Sequence, residues 1–346
     1  MSQSLSFGLD TFGDVTVDLD GRPLAFGDVL RNMVAEAEMA DRVGVDYIGV
    51  GEHHRADFAV SSPEVVLAAM AARTSRIKLG SAVTVLSSDD PVRVFQRFAT
   101  LDGLSNGRAE VTLGRGSFTE SFPLFGYELD DYEVLFEEKV ELFSHLIRQE
   151  PVTWAGSTRA SLDKQLVFPR TQSTLPVWMG VGGSPESVVR AARYGFGLML
   201  AIIGGSPDRF VQFVDLFDRA QEHFGVSGLP VGVHSPGYVA ASDEQALEEY
   251  WPHYRDMHAR IGAERGWGPI RYEQFVLSAG PQGSLYVGSP ETVAEKIART
   301  VSVLRLQRFD LKYSAGTLPH ERSLECIRLY GTEVIPRVRE LVMANA

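Results

Sequence analysis

The strongest constraint on this chain is an alternation: short apolar runs of strand character are followed by longer runs with helical spacing, and the beat recurs eight times between Leu5 and Leu341. Leu5 to Asp10 opens it, with a Gly- and Asp-containing loop through Gly27. Leu30, Met33, Val34, Ala37, Ala40 and Val43 then repeat at helical spacing against Arg31, Glu36, Glu38 and Asp41. Asp28 is placed to cap that helix and Gly44 to end it. Strands are expected at Asp46 to Val50, Ile77 to Val85, Arg108 to Leu113, Val177 to Val181, Leu198 to Ile203, Val231 to Ala240 and Phe309 to Tyr313. Helices are expected at Pro63 to Arg73, Pro91 to Leu104, Asp131 to Arg148, Pro185 to Tyr194, Pro207 to Phe224, Pro290 to Leu304 and His320 to Leu341. Two longer segments interrupt. One holds the Gly- and Phe-rich loop Gly114 to Gly126 and a hairpin over Val152 to Phe168, and the other is Tyr250 to Gly283, rich in Trp, Tyr and His.

Eight strands alternating with helices, with no composition break resembling a linker, favour one closed parallel (β/α)8 TIM barrel over two doubly wound domains. Insertions follow the fourth and seventh strands, and residues 1–346 read as a single domain. In such a barrel ligands bind where strands end and helices begin, so those loops are the ones to search. The formal charge of −12 repels nucleic acid and anionic lipid, so an anionic ligand needs a local pocket. No run approaches the roughly 18 apolar residues of a membrane span. The lone Cys326 forbids an internal disulfide, and the start MSQSLSFGLD has neither the basic run nor the apolar stretch of a secretory leader. A cytoplasmic location is the expectation.

Three loops carry chemistry. Glu52-His53-His54 stands one residue beyond the second strand, where either imidazole suits general acid or base work and Glu52 suits fixing a tautomer; capping of the next segment explains the same residues structurally. Adjacent histidines on extended chain point apart and no third ligand stands at a suitable spacing, so no metal site is expected. In Trp178 to Ser187, a strand containing Met179 runs into Gly182-Gly183, with Ser184 placed to cap and Pro185 at the first helical position. That junction offers backbone amides and a helix N-terminus to a phosphate, or forms only a well-capped turn. Arg115, flanked by Gly114 and Gly116, lies in the neighbouring loop with room for a bidentate phosphate contact or is an ordinary surface arginine, and Gly204-Gly205 is a third amide-rich loop or only a turn. Small residues over Ser81 to Leu86 leave space for a flat ring. Phe118, Phe122, Phe125 and Tyr127, with Trp251, Tyr254, Trp267 and Tyr272, either roof it or form local mini-cores.

Taken together, Gly44-Val-Asp-Tyr-Ile-Gly-Val-Gly-Glu-His-His54, Ser81-Ala-Val-Thr-Val, Asp90-Pro-Val-Arg-Val, Thr100 to Arg108, Leu113-Gly-Arg-Gly116 and Gly182-Gly-Ser-Pro-Glu-Ser187 resemble the bacterial luciferase-like flavin-dependent monooxygenases, over nearly the whole chain. The resemblance implies FMN, or in a related branch a deazaflavin coenzyme, at the barrel mouth. It implies catalytic roles for His53, with proton transfer near the reacting flavin, and for its neighbours Glu52 and His54. It implies a cofactor site at Ala82, Val83 and Thr84, with a non-proline cis link between Ala82 and Val83, and at Arg115, Met179, Gly182, Gly183, Ser184, Gly204 and Gly205. Glycines here replace the acidic and seryl residues that luciferase uses at the phosphate, leaving amides and Ser184 as donors. Reduced FMN and dioxygen would oxidise a small organic substrate. No Rossmann glycine fingerprint is present to hold NAD(P)H, so a separate flavin reductase would supply electrons. A deazaflavin- or flavin-linked dehydrogenase and a non-catalytic flavin-binding protein are the alternatives. A homodimer would pack through the apolar, small-residue helix Pro63 to Ala72.

Overall fold

The structure, a computed structural model, describes residues 5–116 and 118–344; the first residues of the segment read for a leader lie outside them. Eight parallel strands close on themselves: β1 (Ser6–Thr11), β2 (Tyr47–Val50), β3 (Lys78–Ser81), β4 (Ala109–Gly114), β5 (Val177–Val181), β6 (Gly197–Ala201), β7 (Val231–Val239) and β8 (Arg308–Lys312). Closure is made where β8 pairs with β1 from Ser6↔Arg308 to Asp10↔Lys312, and where β7 pairs with both β6 and β8. The principal helices are α1 (Phe26–Val43), α2 (Pro63–Ala71), α3 (Pro91–Ser105), α4 (Tyr132–Leu146), α5 (Pro185–Tyr194), α6 (Val211–Phe224), α7 (Asp243–Arg265) and α8 (Pro290–Leu304).

Local chemistry explains the punctuation. Asp90, Ser184 and Ser289 accept hydrogen bonds from first-turn amides and are each followed by proline at the first helical position, so three helices start where the sequence says they must. Glycine closes α1 and α5 in the left-handed conformation, at Gly44 and Gly195. Asp28 does not cap α1: the helix begins two residues earlier after Ala25, and Asp28 instead accepts from Arg31 in the first turn at 2.5 Å. The strand expected over Ile77 to Val85 is divided, with Thr84–Val85 pairing separately to Leu113 and Gly114 after a cis Ala82–Val83 link.

The first insertion holds a short helix (Ser121–Phe125), α4, and the antiparallel hairpin Val152–Trp154 with Leu162–Gln165. The second holds α7, the helix Tyr272–Ala279 and a three-residue strand, Tyr286–Gly288, which extends the sheet beside the end of β7. The helix expected over His320 to Leu341 is interrupted by a wide turn at Tyr330–Val334. A Cβ at Gly331 would lie 2.3 Å from a Val43 methyl, so the chain passes against α1 closer than any side chain allows.

Below the mouth the barrel is filled by charge. Arg308 donates from Nε to both Asp310 oxygens at 2.8 Å and from Nη1 to Glu110 at 2.7 Å, and its guanidinium lies 3.3 Å from the Tyr47 ring centroid. Glu110 also takes Lys78 at 2.8 Å and the Trp178 indole at 3.3 Å. Glycine makes the room, since a Cβ at Gly8 would fall 2.0 Å from an Asp310 oxygen and one at Gly49 the same distance from Asp10.

Replacing Arg308 with Met strands two buried carboxylates and is expected to cost about 3–5 kcal/mol in urea unfolding. Lys78→Met removes a half-exposed partner of the same cluster and should cost about 1 kcal/mol or less.

Candidate functional site

A cavity of about 600 Å³ opens at the C-terminal ends of the strands. Its flat wall is Ala82 and Val83. A Cβ on Gly114 would stand 2.5 Å from a Val83 methyl and one on Gly180 would stand 3.0 Å away, so both neighbouring strands carry glycine where Val83 packs. Glu52 pins this wall: one carboxylate oxygen accepts the Val85 amide at 2.9 Å and the other faces His54 Nε2 at 3.0 Å. The loops after β2 and β3 are thereby tied together. Glu52 serves His54 rather than His53, and His54 turns away from the cavity, edge-on to Phe125 at 5.0 Å.

His53 lines the cavity. Its ring packs among Phe58 at 4.2 Å, Phe12 at 5.1 Å and Phe118 at 5.3 Å, while its backbone amide is anchored on Val60. Burial in this cage lowers its pKa to about 4, against the opposing charge of Asp14. Near neutral pH the imidazole is uncharged and acts as a hydrogen-bond donor or acceptor.

Arg115, Gly182, Gly183 and Ser184 meet at another wall. Ser184 caps α5 through the Ser187 amide at 3.3 Å, and a Cβ on Gly182 or Gly183 would meet nothing within 4 Å. Arg115 approaches the Ser187 hydroxyl at 3.5 Å, and Arg190 donates to the same oxygen at 3.3 Å. Two guanidiniums thus converge on the Ser187 hydroxyl in the first turn of α5, Arg115 from the cavity lining and Arg190 from outside it, where charge, amides and helix dipole could together hold an anion. Glu133 of α4 pairs with Arg115 and stands 3.7 Å from Arg190, with 67% of its side chain exposed. Ser187 and Arg190 escaped the sequence reading, although Ser184, Ser187 and Arg190 follow one another three apart on a helix that starts at a strand end. The remaining sequence candidates lie elsewhere. Met179 is fully buried in the core and Thr84 donates inward to Ser81 at 2.9 Å. Gly204 and Gly205 do not line the cavity, and the preceding Ile203 does.

A third wall was also missed. Asp10 and Asp14 from β1 and its loop, His234 from β7, and Asp310, Lys312 and Ser314 from β8 and its loop all border the cavity. His234 Nδ1 lies 2.6 Å from Asp10, and Lys312 Nζ lies 3.1 Å from Asp14. Burial raises the Asp310 pKa to about 7, aided by the Asp10 charge and resisted by Arg308. One face of α7 forms the roof: Tyr250, Tyr254, Met257, His258, Ile261 and Arg265 border the cavity at helical spacing. Among the described residues no group of three or more His, Cys, Asp or Glu side chains is arranged to hold a metal ion, and no helix is long and apolar enough to cross a membrane.

The family model for luciferase-like monooxygenases matches residues 6–305. The 4-hydroxyprotoasukamycin monooxygenase of Streptomyces nodosus subsp. asukaensis is 32% identical over 232 residues, 64% of this chain and 62% of that one. A monooxygenase of Streptomyces bottropensis superposes with a TM-score of 0.82 at 22% identity, over 96% of this chain and 99% of the other. The oxygenating constituent of the Pseudomonas putida 3,6-diketocamphane monooxygenase, solved with FMN, gives 0.76 at 18% identity, over 97% and 99%. The coenzyme F420 dependent tetrahydromethanopterin reductase of Methanopyrus kandleri gives 0.72 at 20%, also over 97% and 99%.

The His53 environment yields a pH signature. Because its folded pKa lies below the ordinary value of 6.5, the unfolded chain binds a proton first as pH falls, so the contribution to stability is complete above about 6.5 and disappears toward 4. Nitrogen NMR should find the His53 ring neutral at pH 5.5. His53→Gln should flatten the stability profile across that window.

Proposed function

The chain belongs to the luciferase-like monooxygenase family, and from that premise we propose that it is an FMN-dependent monooxygenase oxidising a small organic substrate with dioxygen. One observation carries the cofactor reading: a single cavity joins an anion seat, lined by Arg115 and Ser187 with Arg190 behind Ser187, to a wall at Ala82 and Val83. Those are the two things an isoalloxazine with a phosphate tail requires. Bound reduced flavin would supply the electrons that activate oxygen.

The residues have separable tasks. Arg115, Arg190, Ser187 and the Gly182–Ser184 amides hold the phosphate, and Ala82 and Val83 support the ring. Neutral His53, caged by three phenyl rings, offers one hydrogen bond at the reacting face, and the cage with the α7 roof keeps water out. Glu52 positions that wall through Val85. His54 acts at most through Glu52.

FMN suits the seat better than a deazaflavin coenzyme, whose tail is longer and carries further carboxylates. Around the two guanidiniums stand Glu133, Glu137 and Glu186, which favour one compact anion and oppose an extended acidic tail. We further propose that electrons arrive from a separate NAD(P)H:flavin reductase and that the protein works in the cytoplasm, where its buried Cys326 stays a free thiol. A homodimer through α1 and α2 is supported by an outward groove lined by Leu30, Val34, Val65, Val66 and Ala69, with Val65 69% exposed.

Fluorescence titration should show FMN binding at least tenfold tighter than riboflavin, and loss of that preference in Arg115→Ala. Equal affinity for the two flavins would remove the phosphate assignment. Reduced FMN held by the protein should consume oxygen with kinetics unlike the free cofactor, and NADH alone should not reduce the bound oxidised form. Direct reduction by NADH would overturn the two-component scheme. Glu133→Gln frees Arg115 of its competing carboxylate and is expected to tighten FMN a fewfold while leaving riboflavin unchanged.

A further inference from the structure

We propose that Asp10 and His234 form a proton-accepting dyad that selects a substrate bearing an acidic hydroxyl on an aromatic or enolic carbon. The inference rests on the reading of the cavity as an oxygenase pocket and adds the class of molecule it takes. His234 Nδ1 lies 2.6 Å from the buried Asp10 carboxylate, and both side chains border the cavity. Phe12 stacks on the imidazole at 5.7 Å with 12° between planes, fixing the ring from the side. With Nδ1 donating to a carboxylate, the tautomer leaves Nε2 as a lone-pair acceptor. No hydrogen bond to Nε2 occurs among the described residues, and its atom is not sealed from the cavity.

The second Asp10 oxygen sharpens the argument. It is buried against Gly49 without a hydrogen-bond partner among the described residues, so His234 is the contact through which this carboxylate reaches the cavity. An aldehyde or ketone brings only another acceptor to Nε2. A hydroxyl brings the donor that this nitrogen lacks. The walls beside it are aromatic, from Phe12, Phe58 and Phe118 to Tyr254 and Trp267, which suits a flat ring behind that hydroxyl.

The step is a simple proton transfer. The substrate O–H bond breaks, its proton passes to His234 Nε2 and the electron pair stays on oxygen, so the charge of the pocket is unchanged. Asp10 steadies the imidazolium as a positioning residue. An aromatic or enolic carbon so charged is electron-rich and prepared for attack on an oxygen electrophile. Asp14, Lys312, Asp310 and His53 are the other titratable groups facing the dyad from β1, β8 and β2.

The test is titration of the full chain with para-nitrophenol, with and without saturating FMN, following the phenolate band, and with nitrobenzene as the probe lacking the hydroxyl. Wild type should bind para-nitrophenol as phenolate below its solution pKa. His234→Asn should weaken that binding about tenfold or more and leave nitrobenzene unaffected, which also verifies the fold. Asp10→Asn should move the pH midpoint of phenolate binding upward without altering nitrobenzene. Equal affinity for the two probes, no change in either variant, or displacement of para-nitrophenol by FMN would overturn the proposal. Failure of FMN to bind, with the phenolate signal intact, would count against the oxygenase reading alone.

Discussion

The guanidinium of Arg308 is the contact on which the molecule is built. A closed ring of eight strands must fill its own interior, and here the filling below the mouth is an arginine shared by two carboxylates and laid against Tyr47. Such a cluster is expensive to desolvate and is held by geometry. It stops the cavity from running through the barrel and keeps Asp310 beside Asp10 at the base of the pocket. The glycine at position 8 follows from it, because a larger residue would occupy the space of Asp310, and Gly49 makes the same room for the neighbouring Asp10.

Charge is divided across the mouth. One side converges positive groups on the first turn of α5, and the opposite side gathers Asp10, Asp14 and Asp310 around His234 and Lys312. His53 stands between them uncharged in its phenyl cage. The two ends of one cavity therefore present opposite charge, even though the chain as a whole is strongly acidic.

The barrel was legible because its rhythm is set by residues that act locally: Ser-Pro and Asp-Pro at helix starts, glycine at helix ends, apolar runs between. Arg115, Glu52, His53 and the Gly182–Ser184 junction were legible because polar groups clustered just past a strand end. Asp10, His234 and Asp310 were not, because each sits within a strand rather than in a polar cluster past its end, and only closure of the ring brings residues 10 and 234 to 2.6 Å. Thr84, Met179, Gly204 and Gly205 do not line the cavity for a related reason: the side of the strand or turn a residue occupies depends on local backbone geometry. The Tyr286–Gly288 strand is three residues long and pairs only because β7 overruns the barrel.

The roof of the cavity is the work of one helix. Six cavity residues sit on one stripe of α7, a helix fastened at its start where Asp243 accepts the Ser289 amide at 2.6 Å and the Thr292 hydroxyl at 2.9 Å. Exchanges along that stripe can remodel the chamber while His53, Arg115 and the Gly182–Ser184 junction stay on other segments. Such a scaffold can thus reshape its chamber one helical turn at a time without disturbing the polar groups at the strand ends.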